Sequence, residues 1–288
     1  MLALVTGDTG FIGTNLKWWL TDAGISVKCF SRGNGFDVLN RDQLRHEAQG
    51  CGLVYHLAAY ANPAESVLKP DYAIEVNVKG TVNVLEVCKE LGIPLVYPGS
   101  CEIYGDGVTP MDEEHPLRPP NPYAASKAAA DVICYSYFKC YGLDVKIVRL
   151  FNPYGPKQQL NKIIPTFYSQ ANKNKPLTVY GDGSDTRDYV YIDDVAYGLY
   201  LAKDLPAGEI INLATGKATT NLELAKILID LTGSRSEISF AKYPQTFGGI
   251  KRQVGSGKKA KSMLGWQPRV SLVEGVEKML QWLRSENE

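Results

Sequence analysis

The run from Leu2 to Gly13 constrains this chain more than any other stretch. Leu2 to Thr6 is a short apolar strand. Gly7-Asp-Thr-Gly10-Phe11-Ile12-Gly13 follows as a turn, and an amphipathic helix is expected from about Thr14 to Ala23. The glycines allow a tight turn, close backbone approach and close packing of helix on strand. The helix N-terminus then presents unpaired N–H groups and a positive dipole end to a pyrophosphate. The Gly-x-x-Gly-x-x-Gly spacing is looser than the usual dinucleotide fingerprint, but strand, turn and helix come in the order that motif requires. Gly7, Gly10, Phe11, Ile12 and Gly13 are therefore expected to hold a dinucleotide's phosphates.

The chain beyond keeps the same rhythm. Ser26 to Phe30 reads as the second strand, and its end carries Ser31-Arg32-Gly33 rather than an acid. A hydroxyl and a guanidinium suit a ribose 2′-phosphate better than a free 2′-OH, so the reading leans to NADP over NAD. Asp37 is placed to accept from the adenine amino group. Leu53 to Leu57 is a third strand, closed by the small residues Ala58 and Ala59, which let backbone pass beside a cofactor. Asp71 to Leu91 has helical period and carries Asn77 and Gly80. Ile93 to Tyr97 is the fourth strand, followed by Ser100 and Glu102, expected on one side of an extended segment with Cys101 on the other. Asp106 to Pro122 is a loop long enough to flank a site. A helix to about Tyr141 and a strand from Asp144 to Phe151 complete the pattern. Strands alternating with helices imply an α/β fold, a Rossmann-like doubly wound parallel sheet.

Tyr123 and Lys127 stand four residues apart near the start of that last helix and so face the same way. An ammonium beside a phenol favours the phenolate, so the Tyr123 pKa is expected to fall from its free value of about 10. The result would be a base for a sugar hydroxyl near neutral pH. Tyr-x-x-x-Lys alone is common; its weight here comes from the glycine turn and from Ser100 ahead of it.

After Pro156 the texture changes. Residues 157–188 and 216–288 are read as a smaller C-terminal substrate lobe, with 1–156 as the dinucleotide-binding domain and 189–215 returning to it. The cleft between them would be the substrate site. Composition excludes several other classes. The formal net charge is +0 with no basic run, which argues against a nucleic-acid partner. No apolar run approaches the roughly 20 residues of a membrane span, and Met1 to Gly7 reads as a strand rather than a signal peptide. Six scattered cysteines and three histidines form no metal-binding spacing, so no metal is expected and the thiols should be reduced, in a cytoplasmic protein.

Taken together, several stretches resemble the extended short-chain dehydrogenase/reductases, and more narrowly the nucleotide-sugar epimerase/dehydratase family. They are Gly7 to Gly13, His56-Leu-Ala-Ala59, Asn77-Val-Lys-Gly80, Ser100 to Gly105, Tyr123 to Lys127, Arg149 to Gly155 and Thr186 to Asp194. The resemblance implies an NAD(P)-dependent enzyme on a nucleotide-diphosphate sugar. Tyr123 would be the acid/base on sugar O4, with Lys127 lowering its pKa and binding the nicotinamide ribose, and Ser100 would hydrogen-bond O4. Leu57, Ala58, Ala59 and Asn77 would join the cofactor site. Asn152, Arg187 and Arg252 would hold the diphosphate, with Tyr180 counted among the substrate residues. A homodimer paired through the Tyr123 helix and its neighbour is implied too.

The expected reaction is 4-epimerisation by transient oxidation at C4. Glu102 keeps alternatives open, because 4,6-dehydratases use a Glu at this position as C5 base and decarboxylases carry one as well. Cys101 replaces the Asp that thymidine-diphosphate sugar dehydratases place before it. A 4-keto sugar reductase is a further alternative. A non-catalytic dinucleotide sensor is remote, given Ser100, Tyr123 and Lys127 together.

Overall fold

The computed structural model describes residues 1–243 and 249–286. The chain begins β1 (Leu2–Thr6), α1 (Phe11–Asp22), β2 (Ser26–Phe30), α2 (Arg41–Ala48) and β3 (Leu53–His56). It continues α3 (Pro63–Leu68), α4 (Pro70–Ile74), α5 (Gly80–Leu91), β4 (Leu95–Ser100), α6 (Pro122–Tyr141) and β5 (Val145–Leu150). Then come β6 (Pro153–Tyr154), α7 (Ile163–Ala171), β7 (Leu177–Tyr180), β8 (Thr186–Arg187), β9 (Val190–Tyr191), α8 (Ile192–Ala202) and β10 (Ile210–Leu213). The last elements are β11 (Thr219–Thr220), α9 (Asn221–Thr232), β12 (Ile238–Ala241), β13 (Arg252–Gln253), α10 (Lys258–Leu264) and α11 (Leu272–Ser285).

Six strands form one parallel sheet in the order β10-β5-β4-β3-β1-β2. Successive side chains alternate between its faces. Leu4, Val54, Leu95 and Ile147 pack under α2, α5 and α6, while Ala3, Val5, Leu53 and Val148 pack under α1 and α8. Burial on both faces is what a parallel sheet requires, and it explains why these strands read as near-continuous apolar runs. Each fully buried Leu or Val contributes about 1.5–3 kcal/mol. The chain leaves β1 for β2 on one side and reaches β3 on the other, so a crevice opens beyond the C-terminal ends of β1 and β3. The glycine turn and Leu57 to Ala59 lie at that crevice.

The remaining strands make small sheets, β11-β8-β13, β12-β7 and β6-β9. The apolar core that begins under α1 runs on without a break through Leu177, Val179, Leu224, Leu228 and Met279.

Two local expectations need correction. The helix expected over Asp71 to Leu91 is broken by a π-helical turn at Glu75–Lys79, between α4 and α5. The fourth strand runs on to Ser100, and Cys101–Tyr104 then winds into a 3-10 turn. Glu102 is therefore not in an extended register with Ser100. Its N–H instead donates to the Ser100 hydroxyl at 3.2 Å, a local bond that competes with further strand pairing.

Candidate active site

A cavity of about 250 Å³ lies at the crevice. Gly7, Gly10, Ser31, Arg32, Asp37, Leu57, Ala58 and Ala59, all expected there, line it together with Thr9, Phe36, Tyr60 and Tyr72. Two glycines are forced by close approach. At Gly7, with φ +70, a Cβ would lie 2.6 Å from the Ala58 nitrogen, and at Gly13 one would lie 2.4 Å from the Gly7 carbonyl. The first turn of α1 has no side-chain cap and no acid, which leaves its N–H groups for an anion. Phe11 and Ile12 belong to that turn, but their side chains pack on the core. A backbone cradle of this shape fits the pyrophosphate of a dinucleotide.

The adenosine end shows more commitment than the sequence suggests. Arg32 Nε and Nη2 both lie 2.9 Å from Asp37 Oδ2. Its Nη1 donates to the Tyr72 hydroxyl, and the guanidinium sits 5.5 Å from the centre of that ring. Asn77 is buried and does not line the cavity itself. Its Oδ1 accepts from Tyr60 N at 2.7 Å, and its Nδ2 donates to Ser126 Oγ at 2.8 Å and Tyr60 O at 3.2 Å. It thus ties the loop carrying Ala58 and Ala59 to α6. Asp8, which the sequence reading passed over, is buried too. Burial alone would raise its carboxyl, but Lys17 at 2.9 Å, with Ser31 and Cys29, holds it below the usual range.

The reacting groups meet where β4 ends and α6 begins. Asn121 caps α6 by accepting from Ala124 N at 2.8 Å, and Pro122 fills the first helical position, where no N–H is needed. That start sets Tyr123 in the first turn, near enough to Ser100 for its hydroxyl to favour the phenolate. Lys127 follows one turn later and is buried.

The expected fall of the Tyr123 pKa is not found. Burial pushes the phenol well above its ordinary range, the nearby Glu102 carboxylate adds to this, and the Ser100 hydroxyl opposes it. The reason is where Lys127 puts its charge. Its Nζ donates to the Pro98 carbonyl at 2.7 Å and lies 4.3 Å from the centre of the Tyr97 ring. Burial pushes Lys127 itself down to about 8, against the pull of Cys134 and Asp131.

Glu102 lies beside Tyr123. Burial raises its carboxyl, while Asn121, donating to Oε2 at 3.2 Å, and the charges of Lys162 and Arg187 pull it back. Asn121 and Lys162 were not singled out in the sequence. The Asn-Pro pair before a helix was a signal for the first; an isolated Lys in a polar segment gave none for the second. Asn152, with φ +20, donates from Nδ2 to Asp188 O at 3.1 Å. Arg187 Nη2 donates to Ile250 O at 2.9 Å, and Arg252 on the adjacent β13 is exposed, with Asp106 at 3.9 Å. Among the described residues, no side-chain bond links Tyr180, which is exposed at the end of β7, to this group.

The chain thus carries a dinucleotide cradle and, where β4 meets α6, a Ser–Tyr pair with a buried Lys one turn on. Residues 3–214 match the NAD dependent epimerase/dehydratase family. The chain belongs to that family. Like its relatives it is an enzyme of the extended short-chain dehydrogenase/reductase type, as the resemblance implied. UDP-glucuronic acid decarboxylase 1 of Xenopus tropicalis is 32% identical over 99% of this chain and 72% of its own length. UDP-glucuronate 4-epimerase of Thermodesulfobacterium geofontis is 31% identical over 97% of this chain and 95% of its own. Among solved structures, Thermotoga maritima UDP-glucose 4-epimerase with UDP-glucose superposes with a TM-score of 0.94 at 27% identity, covering 100% of both chains. The dTDP-glucose 4,6-dehydratase of Streptomyces venezuelae, solved with NAD, gives 0.93 at 31% identity over 100% of this chain and 98% of its own. Family members therefore share this scaffold while differing in reaction.

Proposed function

We propose that this family member is a nucleotide-sugar 4-epimerase that works by transient oxidation at C4. The observation that carries the reading is the meeting of Ser100 and Tyr123 where β4 ends and α6 begins, with Lys127 buried one helical turn on, in a chain that also forms a glycine-lined cradle. When bound, the oxidised nicotinamide supplies a hydride acceptor and a positive charge. Tyr123 takes the proton of sugar O4 and returns it after the ketone has turned over. Ser100 holds the phenol and passes the proton along. Lys127 keeps a second positive charge within the same buried pocket, which stabilises the phenolate once formed. Arg187 and Asn152, with Arg252 at the rim, bind the diphosphate of a nucleotide sugar.

Residues 157–188 and 216–288 form the substrate lobe in this reading; 244–248 and 287–288 lie outside the described residues. A homodimer is inferred through α6 and α5, supported by Val132 at 55% and Tyr135 at 38% exposure on α6. Free cysteines at all six positions support a cytoplasmic location.

A second reading rests on Glu102. A carboxyl beside Tyr123, flanked by two cations, is positioned to take a proton from sugar C5, as in a 4,6-dehydratase, or to assist loss of carbon dioxide from a uronate. Incubation with UDP-glucose, UDP-glucuronate, dTDP-glucose and GDP-mannose, followed by NMR of the products, separates the readings. Inversion at C4 without change of mass supports the epimerase; loss of water or of carbon dioxide overturns it. Steady consumption of added NADPH instead points to a 4-keto sugar reductase.

For the cofactor we lean to NADP, because Ser31 and Arg32 end β2 where an acid would select NAD. A 2′-phosphate would have to share the guanidinium with Asp37. Cofactor released from the purified protein and identified as NAD overturns that preference.

A further inference from the structure

Asp188 follows Arg187 directly and has no solvent exposure. Its carboxylate accepts four hydrogen bonds. Thr215 N at 2.9 Å and Thr215 Oγ1 at 2.5 Å reach Oδ1, and Gly216 N at 2.9 Å and Gly255 N at 3.2 Å reach Oδ2. Its backbone is also bound on both sides: N–H to Gln253 O at 2.9 Å, and carbonyl to Asn152 Nδ2 at 3.1 Å. Four segments distant in sequence thus meet at one residue: the turn after β5, the end of β8, the turn after β10 and the end of β13.

We propose that Asp188 is a positioning residue that sets Arg187 and Asn152 for the substrate diphosphate. This rests on the reading of those two side chains as diphosphate ligands. The β11-β8-β13 sheet that carries Arg187 is only two residues deep per strand, too short to fix its own placement on the main sheet. The carboxylate supplies that placement. It pins the end of β8 to the turn after β10, the edge strand of the main sheet, and to the strand end at Gly255. Arg187 then has a fixed origin, and its guanidinium is further steadied by the Ile250 and Lys251 carbonyls. A bidentate anion contact depends on such fixed origins.

The chemistry makes the residue type specific. All four donors are N–H or O–H groups, so the acceptor must offer lone pairs on both oxygens. In Asp188→Asn an NH2 group would face the Gly216 and Gly255 amides, and two buried donors would lose their acceptor. Thr215→Val is milder, removing one donor while keeping shape.

The test measures binding, with UDP, dTDP and GDP as probes by calorimetry and NADH by fluorescence, on the wild type, Asp188→Asn, Thr215→Val, Arg187→Ala and the Asp188→Asn/Arg187→Ala double variant. The expected result is a loss of affinity for the tightest nucleotide probe of about tenfold or more in Asp188→Asn. The loss should be smaller in Thr215→Val, with NADH affinity within about twofold of wild type. The double variant should lose less than the two single losses combined, since Asp188 acts in part through Arg187. Nucleotide affinity unchanged in Asp188→Asn while Arg187→Ala weakens it overturns the positioning role alone, as do additive losses. Unchanged affinity in Arg187→Ala overturns the diphosphate reading and the inference with it. Should Asp188→Asn not fold, Thr215→Val decides: unchanged affinity there counts against the proposal.

Discussion

At the scale of single residues, the central finding is that Tyr123 starts from a high pKa. Burial and Glu102 both oppose its ionisation, and Lys127 sits against a carbonyl and an aromatic ring. Tyr123→Phe is expected to lower kcat by about 10²–10⁴-fold while leaving nucleotide-sugar affinity near wild type, read by steady-state kinetics and calorimetry. Lys127 gives a stability test. Its folded pKa of about 8 lies below its unfolded value of 10.5. Between those values the unfolded chain holds a proton that the folded chain has lost. Stability from this group is therefore present above 10.5 and lost as pH falls through about 8. Urea unfolding of wild type against Lys127→Met, from pH 8 to 9.5, should show wild type gaining on the variant by up to about 1.4 kcal/mol per pH unit. Parallel curves would show that Lys127 is not neutralised by burial. Arg32 bears on the cofactor. Asp37→Asn should release its guanidinium and raise affinity for NADPH relative to NADH, by about fivefold at most, the scale of an exposed ion pair. An unchanged ratio would mean Asp37 does not compete for it.

At the scale of elements, the start of α6 does two jobs. Asn121 caps the helix and also donates to Glu102. Asn121→Ala should cost about 1 kcal/mol of stability in denaturant unfolding. Asn121→Asp keeps the cap but sets a second carboxylate beside Glu102, so it should hold stability and lose activity. Equal behaviour of the two variants would count against two separate roles for Asn121. The turn before α1 is less forgiving. A methyl at Gly13 meets the Gly7 carbonyl at 2.4 Å, so Gly13→Ala should strain the cradle by about 1–3 kcal/mol and weaken dinucleotide binding, both measurable by thermal shift with and without NADH.

At the scale of the whole molecule, one apolar core passes from the main sheet into the elements around α7, α9 and α11. Trp266 joins the C-terminal part to α8: it is 1% exposed and its Nε1 donates to Asp194 O at 2.8 Å. The Asp194 carboxylate also binds Arg269 and Val270. Trp266→Ala should cost about 3–5 kcal/mol, and calorimetry should show one transition moved down rather than two. A split transition would show that the lobes unfold separately despite the shared core.

Much of this was legible in the sequence because it is local. Glycines at 7, 10 and 13, short near-continuous apolar runs and the Tyr123–Lys127 spacing need only neighbouring residues to be read, and they gave the parallel α/β sheet and the dinucleotide cradle. The 3-10 turn at Cys101–Tyr104, the π-helical turn before α5 and the pairing of Arg32 with Asp37 and Tyr72 were set by tertiary contacts. So was the direction of the Tyr123 pKa: spacing says which way a side chain leaves a helix, whereas the burial and partners that decide its charge come from strands and loops far along the chain. Asp188 is the plainest case, an unremarked acid in sequence whose four donors come from residues 215, 216 and 255 and assemble only when the chain has folded.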